Sequence, residues 1–218
     1  RGEPVSSRDL GLPRGTDAKT LQVIPESSWD ESLRATAERV RQETGLEPVF
    51  VVGGIQIAGT DGARLVRGVY TGDQIIVQAD NLRATPDQIA DHEIFHDRAA
   101  QTPGLVREIE ERIRERYDRD EMTRVVERYI QKLRGVIDVT GNPGDGTVQA
   151  EAWDILEEIF ADAYAGINAF SVHAERFNET VEQTMTDRGV GRGSQNAAAT
   201  DRTTGPPAEG RYSFGGQN

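Results

Sequence analysis

His92 and His96 stand four residues apart with Glu93 between them, and the flanking residues dictate a helix there. Thr85 is a natural N-cap, Pro86 suits the first helical position, and Gln88 completes a capping box. Pro103 and Gly104 close the stretch, so the spacing predicts a helix from Pro86 to about Gln101. On a helix, residues i and i+4 lie one above the other on one face. Both imidazoles therefore share a face, with Glu93 beside them. The chain has only three histidines. The competing reading is a surface helix with two ordinary histidines.

Two imidazoles so placed can grip one Zn²⁺, and the glutamate between them can reach a metal-bound water. Cysteine is absent, which excludes disulfides and thiolate ligands and leaves the redox compartment open. A catalytic zinc needs three protein ligands and one open position. The best source of the third is a helix expected over Gln149 to Asn168. Its buried stripe reads Trp153, Leu156, Phe160, Ala163 and Ile167. Glu158 and Asp162 lie one turn apart at the edge of that stripe. Glu158 is the expected ligand, with Glu157 as its competitor. Asp162 is placed to accept the free ring N–H of a ligating histidine, which fixes the tautomer.

The remaining pattern predicts an α+β fold. A first helix is expected from Ser28, with Glu31 at capping-box spacing, to Gly45. Val49 to Val52 reads as a short buried strand, and Ile55 and Ile57 alternate as a strand would. Leu65–Tyr70 and Gln74–Gln78 form a hairpin around Thr71, Gly72 and Asp73. Leu105 to Arg134 is charged and helical in period, with a break at Asp118 to Asp120, and 141–146 is a loop. The expected organisation is a linker or arm over 1–25, a domain over 26–185 and a disordered polar tail over 186–218.

HExxH at His92–His96 with a later Glu-x-x-x-Asp, here Glu158 and Asp162, resembles the gluzincin type of zincin-like metallopeptidase. The stretch Glu157 to Ala165 resembles the third-ligand helix of metallopeptidases by which mobile elements cleave their repressors. The matching residues are Glu158, Ala161, Asp162, Tyr164 and Ala165. The helix–strand–hairpin–helix order is similar to that of zincin domains embedded in phage and mobile-element polyproteins. The resemblance covers roughly residues 28 to 175. It implies a small sheet with a β-hairpin packed beside the active-site helix, and zinc held by His92, His96 and Glu158. It also implies a zinc-bound water activated by Glu93 for peptide-bond hydrolysis. His173 would stabilise the oxyanion, with an ordinary surface or core histidine as the competing reading. Tyr164 could take the same electrophilic part or simply pack. Asp97 and Arg98 depart from the class, which places an uncharged and then a hydrophobic residue after the second histidine. The gap from His96 to Glu158 is also long for that class.

The formal net charge of −12 argues against a nucleic-acid partner, since phosphate would be repelled. No apolar run is long enough to span a bilayer. The expected partner is a protein or peptide substrate, pairing in extended form with an edge strand of the hairpin. The chain opens at Arg1 without a methionine and is expected to be part of a larger polyprotein. It is expected to be soluble, in the cytoplasm or with a virion rather than secreted. The alternative function is a non-catalytic zinc-binding interaction module of a larger phage or mobile-element polyprotein.

Overall fold

The segment Pro86–Gln101 is a helix in which every residue from Ile89 to Arg98 is buried. A helix enclosed on all sides is ordinarily apolar. This one carries Asp91, His92, Glu93, His96, Asp97 and Arg98, so each polar group must find its partner inside the protein. The fold is organised by what surrounds this helix. The computed structural model describes residues 3–4, 21–53, 55–59, 62–117, 147–167, 173–193 and 211–214.

Five helices are described: α1 (Glu31–Thr44), α2 (Pro86–Gln101), α3 (Leu105–Arg116), α4 (Thr147–Ala165) and α5 (His173–Asp187). The strands are β1 (Glu3–Pro4), β2 (Gln22–Val23), β3 (Glu47–Val52), β4 (Ile55–Gly59), β5 (Gly62–Tyr70), β6 (Gln74–Gln78) and β7 (Arg211–Phe214). The chain is thus mixed α and β, built on a small mixed sheet. Its hydrogen-bonded order is β1-β2-β3-β6-β5-β4, with β7 also pairing with β5. β3 and β6 run parallel, Glu47 opposite Gln74 through Val51 opposite Gln78. β5 and β6 form the expected hairpin, with Tyr70 opposite Ile75.

Alternation along the strands divides the core. Phe50, Tyr70, Ile75 and Val77 face the helices and pack with Val40, Ile89, Ile94, Phe95 and Phe160. Leu21, Val51, Ile55, Val66, Val69 and Ile76 form a smaller cluster on the other face. Val66 and Val69 share that face because the register shifts between them, as a bulge requires.

Thr85 caps α2 with the complete capping box and Pro86 at its start. α1 begins later than expected. Asp30, not Ser28, accepts the Leu33 N–H as N-cap, and Ser28 ends a short 3-10 turn. Both residues suit a cap, but only from Asp30 does the side chain reach the first turn. Gly45, at φ 69°, ends α1 as expected. α4 stops at Ala165 rather than Asn168, because Gly166 takes a left-handed φ of 62° and the Ile167 N–H returns to the Asp162 carbonyl. The expected arm over 1–25 contributes β1 and β2 to the sheet and the buried Leu21 to its core. The expected tail from 186 contributes Val190 to the core margin and β7 to the sheet. The expected break at Asp118 to Asp120 and loop over 141–146 lie outside the described residues. No helix among the described residues is long and apolar enough to cross a membrane.

Candidate metal centre

α4 lies against the face of α2 that carries the histidines. The two histidines and Glu158 meet there as one buried group that could hold a metal ion. The two Nε2 atoms are 3.1 Å apart. Glu158 spans them, with Oε2 3.3 Å from His92 Nε2 and Oε1 3.2 Å from His96 Nε2. Glu158 is thus the residue that faces both Nε2 atoms. Glu157, its competitor in sequence, goes elsewhere: its Oε1 lies 2.8 Å from His96 Nδ1. Asp162 Oδ1 lies 3.0 Å from His92 Nδ1. Each imidazole is therefore held from behind by a carboxylate and faces Glu158 in front.

The shorter hydrogen bonds to Asp162 and Glu157 favour the Nδ1–H tautomer in the neutral rings. A carboxylate can only accept, so each Nδ1 carries the proton and donates it. In the neutral imidazole the Nε2 lone pairs then converge on the Glu158 oxygens. Three electron-rich positions converge with no donor between them. Such a centre takes up either protons or a metal ion.

The acid–base properties show the same pull. Burial alone would lower the His92 imidazole, but hydrogen bonds to Asp162 and Glu158, and their charges, hold it well above its ordinary value. His96 is also buried, yet the charge of Glu158 and the bond to Glu157 push it up to about 9. Burial would raise Glu158, but the His96 charge and hydrogen bonds from both rings bring it down to about 2.

Glu93 is fully buried between α2 and β5. Gly68 makes this approach possible. A Cβ added there would collide with Glu93 Oε1, and would lie 2.9 Å from its Cγ and 2.8 Å from Ile89 Cγ2. The strand backbone thus passes directly over the Glu93 carboxylate. Gly68 carries no sequence signal for this role beyond being a glycine inside a strand.

Opposite the histidines, α2 meets a second polar cluster. Asp91 pairs with Arg39 of α1 and with Arg192, the latter at 2.5 Å. Arg192 also donates to the Tyr164 carbonyl, stacks 4.5 Å from its ring centroid and pairs with Glu182. Arg98 reaches toward Glu43 at 4.0 Å. Burial raises Asp91, and the charges of Arg39 and Arg192 offset this in part. Burial likewise raises the Tyr164 hydroxyl, further supported by Glu43. Tyr164 therefore belongs to this cluster and to packing against Phe95. Asp97 takes a local bond from Gln101 at 2.6 Å. Sequence reasoning missed Arg192, whose Gly- and Arg-rich surroundings gave no periodicity. His173 begins α5, and its side chain lies outside what is described.

No protein-family model, curated protein or solved structure matches this chain.

Proposed function

We propose that this protein is a zinc-dependent peptidase of the zincin-like type, with His92, His96 and Glu158 as metal ligands and Glu93 as general base. The observation that carries the reading is the convergence of ligand atoms: the two Nε2 atoms are 3.1 Å apart, and each has its own Glu158 oxygen at 3.3 or 3.2 Å. Tetrahedral zinc with bonds of about 2.0–2.1 Å requires ligand atoms about 3.3 Å apart. Imidazole with one carboxylate is also a donor set suited to zinc, and two histidines with a glutamate make up a known catalytic set. The resemblance of the HExxH and Glu-x-x-x-Asp patterns to gluzincins supports the same assignment.

When bound, the metal supplies Lewis acidity, polarising a carbonyl and making water a nucleophile near neutral pH. The chain's own residues do the rest. Glu157 and Asp162 hold the two Nδ1–H groups, orient the rings and raise the basicity of both Nε2 atoms. Glu93, packed under Gly68, is fixed one residue from His92 on the same helix. It takes the proton of the attacking water and passes it to the leaving amine nitrogen.

The experiment is metal analysis of the purified protein beside Glu93→Gln. One zinc per chain is expected in both, with hydrolysis of an unfolded protein such as casein lost in Glu93→Gln. Equal hydrolysis by the two proteins rejects the mechanism. Zinc retained with no hydrolysis by either points to the non-catalytic module.

A further inference from the structure

Glu93 is wholly buried, so no substrate reaches it unless a covering segment moves. The strand pairing identifies that segment. Val69 is paired with Ile76 of β6 and with Tyr212 of β7. Val66 is paired with Ile55 of β4 and with Phe214 of β7. A strand has only two hydrogen-bonding edges. β4 and β6 therefore share one edge of β5, and β7 lies along the other. Gly68, whose backbone passes over the Glu93 carboxylate, falls inside the stretch that β7 covers, between Val66 and Val69. β7 lies against α2 as well.

We propose that residues 211–214 occupy, in cis, the strand-accepting edge through which this site receives an extended polypeptide, and that a substrate enters by displacing them. The inference rests on the peptidase reading above and names what fills its peptide slot. β7 makes main-chain pairs with β5, and pairs of this kind accept many sequences. It is antiparallel to β5 and only four residues long. The pairing is interrupted between Val66 and Val69, and bulges of this kind recur beside active sites. A short, interrupted ladder is exchangeable. What favours β7 over a free peptide is its tether, which gives it an effective concentration on the order of 1 mM. Residues 194–210, which form that tether, contain no aromatic or large aliphatic residue. Tyr212 and Phe214 are the only aromatic residues after Phe177, so the sequence concentrates strand-forming character at this segment.

The test uses the full chain loaded with zinc and a fluorescent peptide of the sequence from Glu209 to Gly216. In Tyr212→Pro, the ring removes a ladder donor and disfavours the strand. Its anisotropy titration should show at least tenfold tighter binding of the peptide than the unaltered chain. Equal binding by the two, or binding by neither, overturns the proposal. A second variant guards against misfolding. The chain has no cysteine, so Val69→Cys with Tyr212→Cys forms one defined bridge across the pair. Oxidation should abolish peptide binding and reduction restore it; equal binding in the two states overturns the slot. Hydrolysis of casein separates the two levels of inference. Redox-dependent peptide binding without hydrolysis keeps the slot and rejects the peptidase. Equal hydrolysis by the oxidised and reduced forms keeps the peptidase and rejects the slot.

Discussion

α2 buries polar side chains on two of its flanks, and the two flanks are resolved in opposite ways. On the flank facing α1 and residues 190–193, Asp91 meets Arg39 and Arg192, and Glu43 faces Arg98. Acid and base are both supplied by the chain. On the flank facing α4, the carboxylates of Glu157, Glu158 and Asp162 meet His92 and His96. In the first cluster acids and arginines from separate segments pair with one another, which ties those segments to α2. The second brings together His92, His96 and Glu158, a group that could hold a metal ion.

Removing one acid from each flank separates the two cases, and the metal side gives the larger effect. Glu158→Ala deletes the group that faces both Nε2 atoms. Zinc should fall from one per chain to a trace after dialysis, measured by elemental analysis. Full occupancy in that variant would show that Glu158 is not a ligand. Asp91→Ala removes the acid shared by two guanidinium groups, leaving Arg39 to Asp87 and Arg192 to Glu182 and the Tyr164 carbonyl. Breaking a fully buried pair costs about 3–5 kcal/mol. Arg39 and Arg192 are 26% and 43% exposed, so solvent screens part of this. A loss on the order of 2 kcal/mol is expected in urea unfolding. Zinc stoichiometry should stay at one. A variant that loses zinc with little change in stability would mean that the two flanks are not separate.

The contrast also shows what the sequence could reveal. The metal flank was legible because its parts are local and periodic: a capped helix with His92 and His96 one turn apart, and a second helix with Glu158 and Asp162 one turn apart. Within that flank, Glu157 and Glu158 are adjacent acids, and only the rotation of α4 against α2 decides which faces Nε2 and which faces Nδ1. The other flank was not legible. Arg39, Asp91 and Arg192 come from distant segments, and nothing in their spacing predicts that they meet. β7 and the buried Leu21 escaped for a related reason. Each lies in a Gly- and Pro-rich stretch whose composition reads as loop, while one strand pairing overrides it.

Within the metal flank, the carboxylates behind the rings sharpen the same comparison. Glu157→Gln and Asp162→Asn keep the shape and remove the charge. Outer partners of this kind typically change metal affinity by about 10–100-fold. Each variant should weaken zinc binding by that factor in a competition titration with a chromophoric chelator, and each should still bind one zinc. No change in affinity would reduce these bonds to packing.

The most graded effect is that of pH, which asks whether protons do stand in for the metal. In the metal-free protein, His92 and His96 are raised by their carboxylates and Glu158 is lowered by the rings. A raised histidine contributes stability that is whole below its unfolded value, about 6.5, and fades as the pH climbs toward its folded value. For His96 that value is about 9. A lowered glutamate contributes stability that is whole above its unfolded value, about 4.3, and is lost as the pH falls. For Glu158 the loss is complete near its folded value of about 2. This contribution is therefore intact from about pH 4.3 to 6.5 and declines on both sides. Zinc bound at this group would displace the protons on Nε2, so its affinity would rise with pH. Melting temperatures with chelator and with excess zinc should diverge steadily from pH 6.5 to 9, because the proton-filled site weakens while the metal-filled site strengthens. A constant gap over that range would mean that protons and metal do not compete for one place. The paired flank of Asp91 and its arginines, which needs no added cation, gives no such divergence.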